Sequence, residues 1–374
     1  MSEIDLQSLR NTVHHFVQRE IVPHIEAWEE GEIFPKDLYK KAGDIGILSL
    51  GFPERIGGLP GSTATTMVIV EELAQSGSGG LIAGLLSHGI GLPPVVALAR
   101  DALLDEVGPS ILAGDKICAL AVTEPGGGSD VANLRTTAVR DGDHYVVNGS
   151  KTFITSGVRA DWLTTAVRTG GDGAGGVSVL LIDGHSPGVS RSPLKKMGWW
   201  CSDTALIHFD DVRVPAKYLC GGEGMGFLGL MHNFNHERLM LGAMAVAFAE
   251  VCIADALEWS QDRQTFGRPL ISRQLVRQNL LQMTERTAAA RALLEATATK
   301  VDAGEEPVAE VCMVKTFATD NLEYVAGQAV QLLGGMGYMR GTRVERIFRE
   351  TKVLSIGGGA TEILRDLAAR QLGW

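Results

Sequence analysis

The spacing of hydrophobic residues changes twice along the 374-residue chain. Residues 1–117 place apolar side chains three or four positions apart, as at Leu9 and Val13, and this spacing predicts helices. Residues 118–222 carry short alternating runs rich in β-branched residues, which predict strands. The helical spacing returns over residues 223–374. We therefore predict an N-terminal helical domain, a middle β domain and a C-terminal helical domain with these boundaries.

Individual elements follow from the same patterns and from turn residues. Asp141-Gly142 and Asn148-Gly149 lie between strand-like runs and predict hairpin turns, because these residues tolerate positive φ. The Gly-rich segments 53–62 and 75–80 predict loops. Helices are predicted from Leu6, again after Pro23, and over residues 67–74, 226–262, 271–303, 307–333, 342–355 and 360–371.

Charge and composition exclude several classes of protein. The formal net charge is -10 at pH 7, so no basic stripe is available to neutralise nucleic-acid phosphates, although a local cluster of donors can bind a small anion. The first ten residues resemble neither a signal peptide nor a transit peptide. The apolar stretch 239–254 is short for a membrane span and is interrupted by Glu250. We expect a cytoplasmic protein with no membrane span.

The five cysteines are scattered and form no CxxC pair. This usage indicates buried thiols in a reducing compartment, with neither a metal site nor a disulfide framework.

Two segments indicate ligand chemistry. Residues 122–130 form a Gly-rich turn after a predicted strand, and such turns expose N–H groups that bind phosphate oxygens. A plain Gly-rich loop is the alternative. Residues 263–267 place Arg263 and Phe266 after a long helix, where an arginine commonly caps the helix or is solvated. A GxGxxG match at 224–229 lacks the short helix and second strand of a dinucleotide site, so we interpret it as a loop that leads into a helix.

Together these segments resemble the acyl-CoA dehydrogenase family over almost the whole chain. The resemblance rests on four motifs in the family's order, namely VTEPGGGSD at 122–130, NGSKTFITSG at 148–157, DRQTFGRPL at 262–270 and QLLGGMGY at 331–338. It implies an α+β, mostly α, fold with an N-terminal helical domain, a middle β-barrel and a C-terminal four-helix bundle. It also implies FAD as the cofactor.

The resemblance assigns FAD-binding roles residue by residue. Thr123 is expected at the pyrimidine part of the flavin, Phe153 against the ring, Thr155 at N5, and Gly128 and Ser129 at the pyrophosphate. Ser129 is also expected near the CoA arm. The other expected FAD contacts in the same subunit are Leu120, Val122, Ala360, Thr361 and Glu362. Phe153 as ordinary barrel core is the alternative for that residue.

A second set of positions implies an oligomer. Five residues match positions that hold the FAD of a neighbouring subunit, so we expect at least a dimer and, by resemblance, a homotetramer built as a dimer of dimers. Gln331 as an ordinary helix residue is the alternative for that position. The five residues are Arg263, Phe266, Gln274, Gln331 and Gly335.

The usual catalytic glutamate of the family is missing. Gly358 stands at its position, where it can offer an N–H to the thioester oxygen but cannot take a proton. Glu237 is the best replacement, because a smaller group, resembling the isovaleryl and long-chain enzymes, supplies its base from this position. The neighbours of Glu237 at helical spacing are not cations, so burial should raise its pKa towards that of a base working near neutrality. A glutamate paired with a distant arginine is the alternative role, and Glu362 is the rival base.

The implied reaction is oxidation of an acyl-CoA to a trans-2-enoyl-CoA, in which Glu237 takes the α-proton and flavin N5 takes the β-hydride. Asn235, Arg238, Gly358, Gly359 and Ser129 are the expected substrate-binding residues. An electron-transfer flavoprotein is the expected acceptor, and fatty or branched-chain acyl-CoAs are the expected substrates. An enoyl-CoA reductase, an acyl-CoA oxidase and a non-catalytic acyl-CoA and FAD-binding protein remain alternatives.

Overall fold

The first region of the chain is helical. The computed structural model describes residues 5–374, apart from the side chain of His232, and residues 1–4 at the start of the first predicted domain lie outside the described residues. Asp5 caps the first helix by accepting a hydrogen bond from the backbone of Gln7, as N-cap residues do. The helices are α1 (Leu6–Phe16), which continues as a π turn over Val17–Ile21, α2 (Ile25–Glu30), α3 (Asp37–Asp44), α4 (Thr63–Ala74), α5 (Gly79–Leu85), α6 (His88–Gly91), α7 (Pro93–Leu98) and α8 (Asp101–Leu112).

The loop predicted over residues 75–80 is partly wrong. Gly79 and Gly80 begin α5, because Ser78 caps this helix and accepts a hydrogen bond from the backbone of Leu81. Both glycines pack directly against Trp199, which leaves no room for a side chain. Close packing, and not a turn, is the reason for glycine at these two positions.

The second region is a mostly antiparallel sheet. Its hydrogen-bonded order is β6-β7-β3-β2-β4-β5-β8, and β1 adds to β4 in parallel, which makes the middle domain an open barrel. The strands are β1 (Cys118–Ala121), β2 (Thr137–Asp141), β3 (His144–Thr155), β4 (Trp162–Arg168), β5 (Val177–Asp183), β6 (Val189–Pro193), β7 (Thr204–Pro215) and β8 (Leu219–Cys220).

One of the two predicted hairpin turns is correct. Asp141 pairs with His144, so β2 and β3 form a tight hairpin in which Gly142 has a φ of 62°. The hairpin predicted at Asn148-Gly149 is wrong, because both residues lie inside β3 at a bulge in its pairing with β7. Gly149 has a φ of 146°, and a Cβ there would lie 2.6 Å from the hydroxyl of Thr136. A bulge and a close approach to β2 therefore explain this glycine.

The third region is the C-terminal helical bundle. Its long helices agree with the predicted ones to within three residues at each end. A two-strand ribbon of β9 (Gln264–Thr265) and β10 (Arg268–Pro269) follows the first of them. The helices are α9 (Gly226–Asp262), α10 (Gln274–Asp302), α11 (Val308–Leu333), α12 (Gly335–Tyr338), α13 (Arg343–Ile356) and α14 (Thr361–Gln371).

Helix α9 is the centre of this bundle. It runs unbroken past Glu250, so the GxGxxG match at 224–229 is no dinucleotide site. Only its first two residues precede the helix, and the other four form the first turn of α9. By length and hydropathy α9 could cross a membrane, but 67% of its most apolar window is buried inside the protein. Residues such as Val246 and Phe248 belong to the main hydrophobic core, which is typical of a core helix. The five cysteines are free and buried, which fits their predicted role as small hydrophobic residues.

Candidate active site

A large cleft lies where helices of the first and third regions meet the sheet. Its volume is about 1810 Å³. The structure brings most of the predicted residues of one subunit to this cleft, although they come from four separate segments. The predicted residues that line it are Leu120, Val122, Thr123, Gly128, Ser129, Phe153, Thr155, Glu237, Arg238, Gly358, Gly359 and Ala360.

The Gly-rich loop is attached to strand β3 by a buried ion pair. The Lys151 ammonium lies 2.8 Å from a carboxylate oxygen of Glu124 and donates to the carbonyl of Val122 at 2.9 Å. The N–H of Thr152 donates to the carbonyl of Thr123 at 2.8 Å. Burial opposes the charge of Lys151 and lowers its pKa to about 8. These bonds fix the first half of the loop, and the segment after Glu124 lies exposed in the cleft.

The cleft surface formed by this loop and β3 suits a flavin. No atom lies within 4 Å of where a Cβ would stand on Gly126 or Gly127, so the loop backbone is open to a phosphate. Phe153 has a φ of 60° and is 70% exposed, which is a strained conformation for a large apolar residue. An aromatic ring held open in a cleft provides a stacking surface for a planar ring. The residues present therefore fit FAD, and the alternative role of Phe153 as ordinary barrel core does not hold.

Glu237 lies in the first half of α9 and lines the same cleft. Its side chain is only partly accessible, and burial raises its pKa to about 7. The positive charges of Arg238 and Lys315 act in the opposite direction, and their effect is smaller than that of burial. A carboxylate with this pKa can exchange a proton near neutral pH.

The turn between α13 and α14 lies directly against Glu237. Gly358 has a φ of 64° and Gly359 a φ of 105°, so both occupy conformations that favour glycine. A Cβ on Gly358 would lie 3.7 Å from Oε1 of Glu237 and 2.5 Å from Cδ1 of Leu241. In the part of the chain that the structure describes, the N–H of Gly358 donates to no protein acceptor. A base and a free hydrogen-bond donor therefore lie side by side.

Three predicted residues lie outside the cleft lining. Asn235 accepts a hydrogen bond from Arg238 at 2.9 Å, so it supports a cleft residue. Thr361 is buried and donates to the carbonyl of Ser355. Glu362 is exposed in the first turn of α14 and does not line the cleft, which weakens its candidacy as the base.

The second predicted set lies at the termini of the bundle helices. Its members stand at the end of α9 and in the ribbon after it, at the start of α10, and at the junction of α11 and α12, and α9, α10 and α11 all pack against one another. All five side chains or backbone positions are exposed, and Phe266 is 97% exposed with a φ of 50°. Exposed aromatic residues of this kind are typical of binding surfaces. The members are Arg263, Phe266, Gln274, Gln331 and Gly335.

Three charged residues in or near the cleft were not predicted from the sequence. Glu124 and Lys151 lie inside recognised motifs, and a charge within a buried strand pattern could have indicated Lys151. Lys315 lies in the apolar pattern of α11, where a lone lysine has the same meaning. Its proximity to Glu237 depends on the packing of α11 against α9, which sequence spacing does not provide.

Comparisons with known proteins agree with this site. The chain matches three domain models of the acyl-CoA dehydrogenases, the N-terminal domain over 4–115, the middle domain over 119–212 and the C-terminal domain over 224–373. It is 34% identical to a cyclohexane-1-carbonyl-CoA dehydrogenase of Geobacter metallireducens, covering 98% of this chain and 97% of that protein. It is 33% identical to the mitochondrial isobutyryl-CoA dehydrogenase of Bos taurus, covering 98% of this chain and 88% of that protein.

A solved structure provides the corresponding evidence for the fold. The crystal structure of a probable acyl-CoA dehydrogenase from Mycobacterium abscessus is 48% identical, covers 98% of both chains and superposes with a TM-score of 0.96. The three-part architecture, the residues of the cleft and the similarity over nearly the full length all indicate the same family. The chain belongs to the acyl-CoA dehydrogenase family, whose enzymes depend on FAD.

Proposed function

We propose that Glu237 is the base of an acyl-CoA dehydrogenase that removes the α-proton of a CoA thioester. The observation that supports this role best is the position of its carboxylate, which lines the cleft 3.7 Å from where a Cβ on Gly358 would stand. A pKa of about 7, raised by burial, suits a group that takes a proton at neutral pH. The product is the trans-2-enoyl-CoA.

The turn at Gly358 has a second part in this proposal. Loss of the α-proton places negative charge on the thioester oxygen, and a fixed N–H donor stabilises that charge. The N–H of Gly358 is free of protein acceptors among the described residues, and its carbonyl accepts from Arg238 at 3.1 Å. One such donor contributes ~2.7–4 kcal/mol to transition-state stabilisation.

The cofactor is held, in this proposal, by the Gly-rich loop and by strand β3. FAD, when bound, supplies the acceptor for the hydride that leaves the β-carbon. Phe153 provides the stacking surface, and Thr123 and Thr155 provide polar groups in the same cleft. Gly128 and Ser129 follow the open backbone of Gly126 and Gly127 and contact the pyrophosphate in this proposal. The buried pair Glu124–Lys151 keeps this loop in place.

The active enzyme is, in this proposal, a homotetramer in which one subunit completes the FAD site of its neighbour. Five exposed residues at the termini of the bundle helices, with Phe266 almost fully exposed, support this arrangement. Resemblance to the family supports an electron-transfer flavoprotein as the electron acceptor, and the bacterial relatives support a cytoplasmic location.

The proposed substrates are branched or long acyl-CoAs. The cleft beside Glu237 is lined by the large apolar side chains of Phe227, Met231, Phe234 and Met240. Two relatives are named for cyclohexane-1-carbonyl-CoA and isobutyryl-CoA, and both of these acyl groups are branched at the α-carbon. A preference for straight short chains in a substrate panel would contradict this part of the proposal.

The decisive experiment mixes the purified yellow protein with a panel of acyl-CoAs in the absence of air and follows loss of the visible flavin band. Wild type is compared with Glu237→Gln and with Glu258→Gln, an exposed glutamate on the same helix. We expect bleaching in wild type and in Glu258→Gln, and its loss in Glu237→Gln with FAD still bound. Bleaching that survives in Glu237→Gln would move the base elsewhere. No bleaching by any acyl-CoA would favour the reductase or the non-catalytic alternative, and rapid reoxidation by air would favour an oxidase.

A further inference from the structure

Two buried cations bind the turn that faces Glu237. The ammonium of Lys315, on α11, donates to the carbonyl of Gly359 at 2.8 Å. The guanidinium of Arg238, on α9, donates to the carbonyl of Gly358 at 3.1 Å. The turn is therefore held by a positive group on each of two helices.

Lys315 is an unusual residue for this purpose because it is fully buried. Its relative exposure is 0%, and burial lowers its pKa to about 8. A buried ammonium is costly unless a negative charge or several acceptors compensate it. One neutral carbonyl compensates only part of that cost, so a nearby carboxylate is required.

The charged groups around Lys315 identify that carboxylate. Helix α9 contributes Glu237, whose charge favours the ammonium most, and Arg238, whose charge opposes it. Helix α11 itself contributes Asp320 and Cys312 with smaller effects, and Asp320 already binds Arg365 on α14. The turn contributes only glycines and Ala360, which carry no charge. His236, on α9 beside Glu237, is engaged in other contacts.

We propose that Lys315 is a positioning residue for α-proton abstraction, which holds the Gly358–Gly359 turn against Glu237 and places a buried positive charge behind that turn. This inference rests on the proposed role of Glu237 as the base. Lys315 contacts the turn from the side of α11 and acts on the substrate only through Glu237 and the Gly358 N–H.

The positive charge of Lys315 opposes the effect that burial has on the protonation of Glu237. A carboxylate buried among apolar side chains becomes protonated, and a protonated base cannot accept the α-proton. A fixed positive charge that makes no direct bond to the base keeps it ionised and leaves its oxygens available for the substrate. The carbonyl of Gly359 holds the ammonium at this position.

The test isolates proton abstraction from hydride transfer. The probe is 3,3-dimethylbutanoyl-CoA, whose β-carbon bears no hydrogen, so that only exchange of its α-hydrogens is possible. The FAD-bound enzyme is incubated with the probe in deuterated buffer between pH 5.5 and 9, and deuterium in the thioester is measured by mass spectrometry. In each exchange Glu237 takes a proton from the α-carbon and a solvent deuteron returns to that carbon. Variants are Glu237→Gln, Lys315→Met, Lys315→Gln and the control Lys300→Met, which replaces a half-buried lysine on α10 that pairs with Glu310.

We expect the wild-type exchange rate to fall as the pH drops below neutrality, and Glu237→Gln to abolish exchange. Lys315→Met should move this fall upward by about one pH unit and slow exchange at pH 7 by about fivefold, with recovery at higher pH. Lys300→Met should match wild type. If Lys315→Met does not fold, Lys315→Gln, which keeps a polar side chain, must show the same displacement.

Two results would overturn the inference, and they differ. If Glu237→Gln abolishes exchange but the folded Lys315 variants keep the wild-type pH dependence, Lys315 has a structural role only and Glu237 remains the base. If exchange is absent in wild type or survives in Glu237→Gln, the proposed function itself fails, and this inference fails with it.

Discussion

Glu237 and Gly358 approach the same point of the cleft from two different helices. The Oε1 atom of Glu237 lies 3.7 Å, and its carboxyl carbon 3.8 Å, from where a Cβ on Gly358 would stand. A glutamate at position 358 would therefore start beside the carboxylate of Glu237. Two carboxylates in one buried site repel each other and cannot both stay ionised. A glutamate at position 237 therefore requires a residue without a carboxylate at position 358, and glycine meets that requirement.

This relationship makes the backbone at Gly358 sensitive to any side chain. Gly358→Ala should destabilise the protein, because its left-handed conformation costs a residue with a Cβ roughly 1–2 kcal/mol and the added atom meets Leu241 at 2.5 Å. We also expect a loss of activity, since the turn and its N–H must shift. Urea unfolding and the flavin-bleaching assay measure the two effects.

Gly357→Ala is the matched control for that substitution. Gly357 has a φ of -70°, which alanine adopts without strain, and its added Cβ meets only the carbonyl of Val353 at 3.3 Å. It should cost less stability than Gly358→Ala. Equal effects of the two variants would contradict the close relation between Gly358 and Glu237.

The sequence predicts the order of elements well because long helices and alternating strands carry strong periodicity. Helix α9 agrees with its prediction at both ends, and α11 differs by one residue at its start. Local turn chemistry is less reliable. Asn148-Gly149 has the residues of a hairpin turn, but the glycine serves a bulge in β3 and a close approach to Thr136, just before β2, and these depend on the neighbouring strands.

The candidate site also divides into residues that the sequence predicts and residues that it does not. Residues within recognised motifs, such as Thr123 and Phe153, could be named in advance, and the structure places both in the cleft. The cations near Glu237 could not all be named, because helical spacing describes only neighbours on one helix. Lys315 acts on Glu237 electrostatically because α11 packs on α9, and these two residues are 78 positions apart in the chain.

The base should cost the protein stability at alkaline pH. Burial raises the pKa of Glu237 from 4.5 to about 7, so the folded state disfavours the ionised form. The stability associated with this group is fully present below the unfolded pKa and is lost as the pH rises through 7. Glu237→Gln removes this loss, so we expect its free energy of unfolding to rise relative to that of wild type by about 2–3 kcal/mol between pH 5 and pH 8.

The measurement is the difference in free energy of unfolding between wild type and Glu237→Gln, by urea titration at several pH values. Glu350, whose pKa burial raises to about 8, has an effect of the same sign, but it is present in both proteins and cancels in the difference. A difference that does not change between pH 5 and 8 would contradict a buried, pKa-shifted Glu237.

The buried pair Glu124–Lys151 should couple stability to FAD binding. Lys151→Met leaves the carboxylate of Glu124 buried without its cation, which costs about 3–5 kcal/mol, and it frees the Gly-rich loop. We expect weaker FAD retention, measured by the flavin-to-protein absorbance ratio after dialysis. The double variant Glu124→Gln/Lys151→Met should be more stable than Lys151→Met alone, because no unpaired charge remains. The control is Lys300→Met, which removes one partner of the partly exposed pair Lys300–Glu310. A Lys151→Met variant as stable as this control would count against the anchoring role of Lys151.

Phe266 provides a test of the proposed contribution of one subunit to the FAD site of another. Its ring is 97% exposed in the single chain, so Phe266→Ala should leave the fold of the subunit intact. If the ring contacts FAD across a subunit boundary, its loss should weaken FAD binding about tenfold, the effect of about 1.4 kcal/mol at a buried aromatic contact.

The readouts are the FAD dissociation constant, from fluorescence recovery of released flavin, and the molar mass in solution from light scattering. Trp374→Ala is the matched control, because Trp374 is 88% exposed and lies at the chain terminus, outside this set of residues. We expect wild-type FAD affinity and assembly for Trp374→Ala and reduced FAD affinity for Phe266→Ala. If both variants bind FAD as tightly as wild type, this set of residues does not complete a neighbouring site, and each subunit holds its FAD alone.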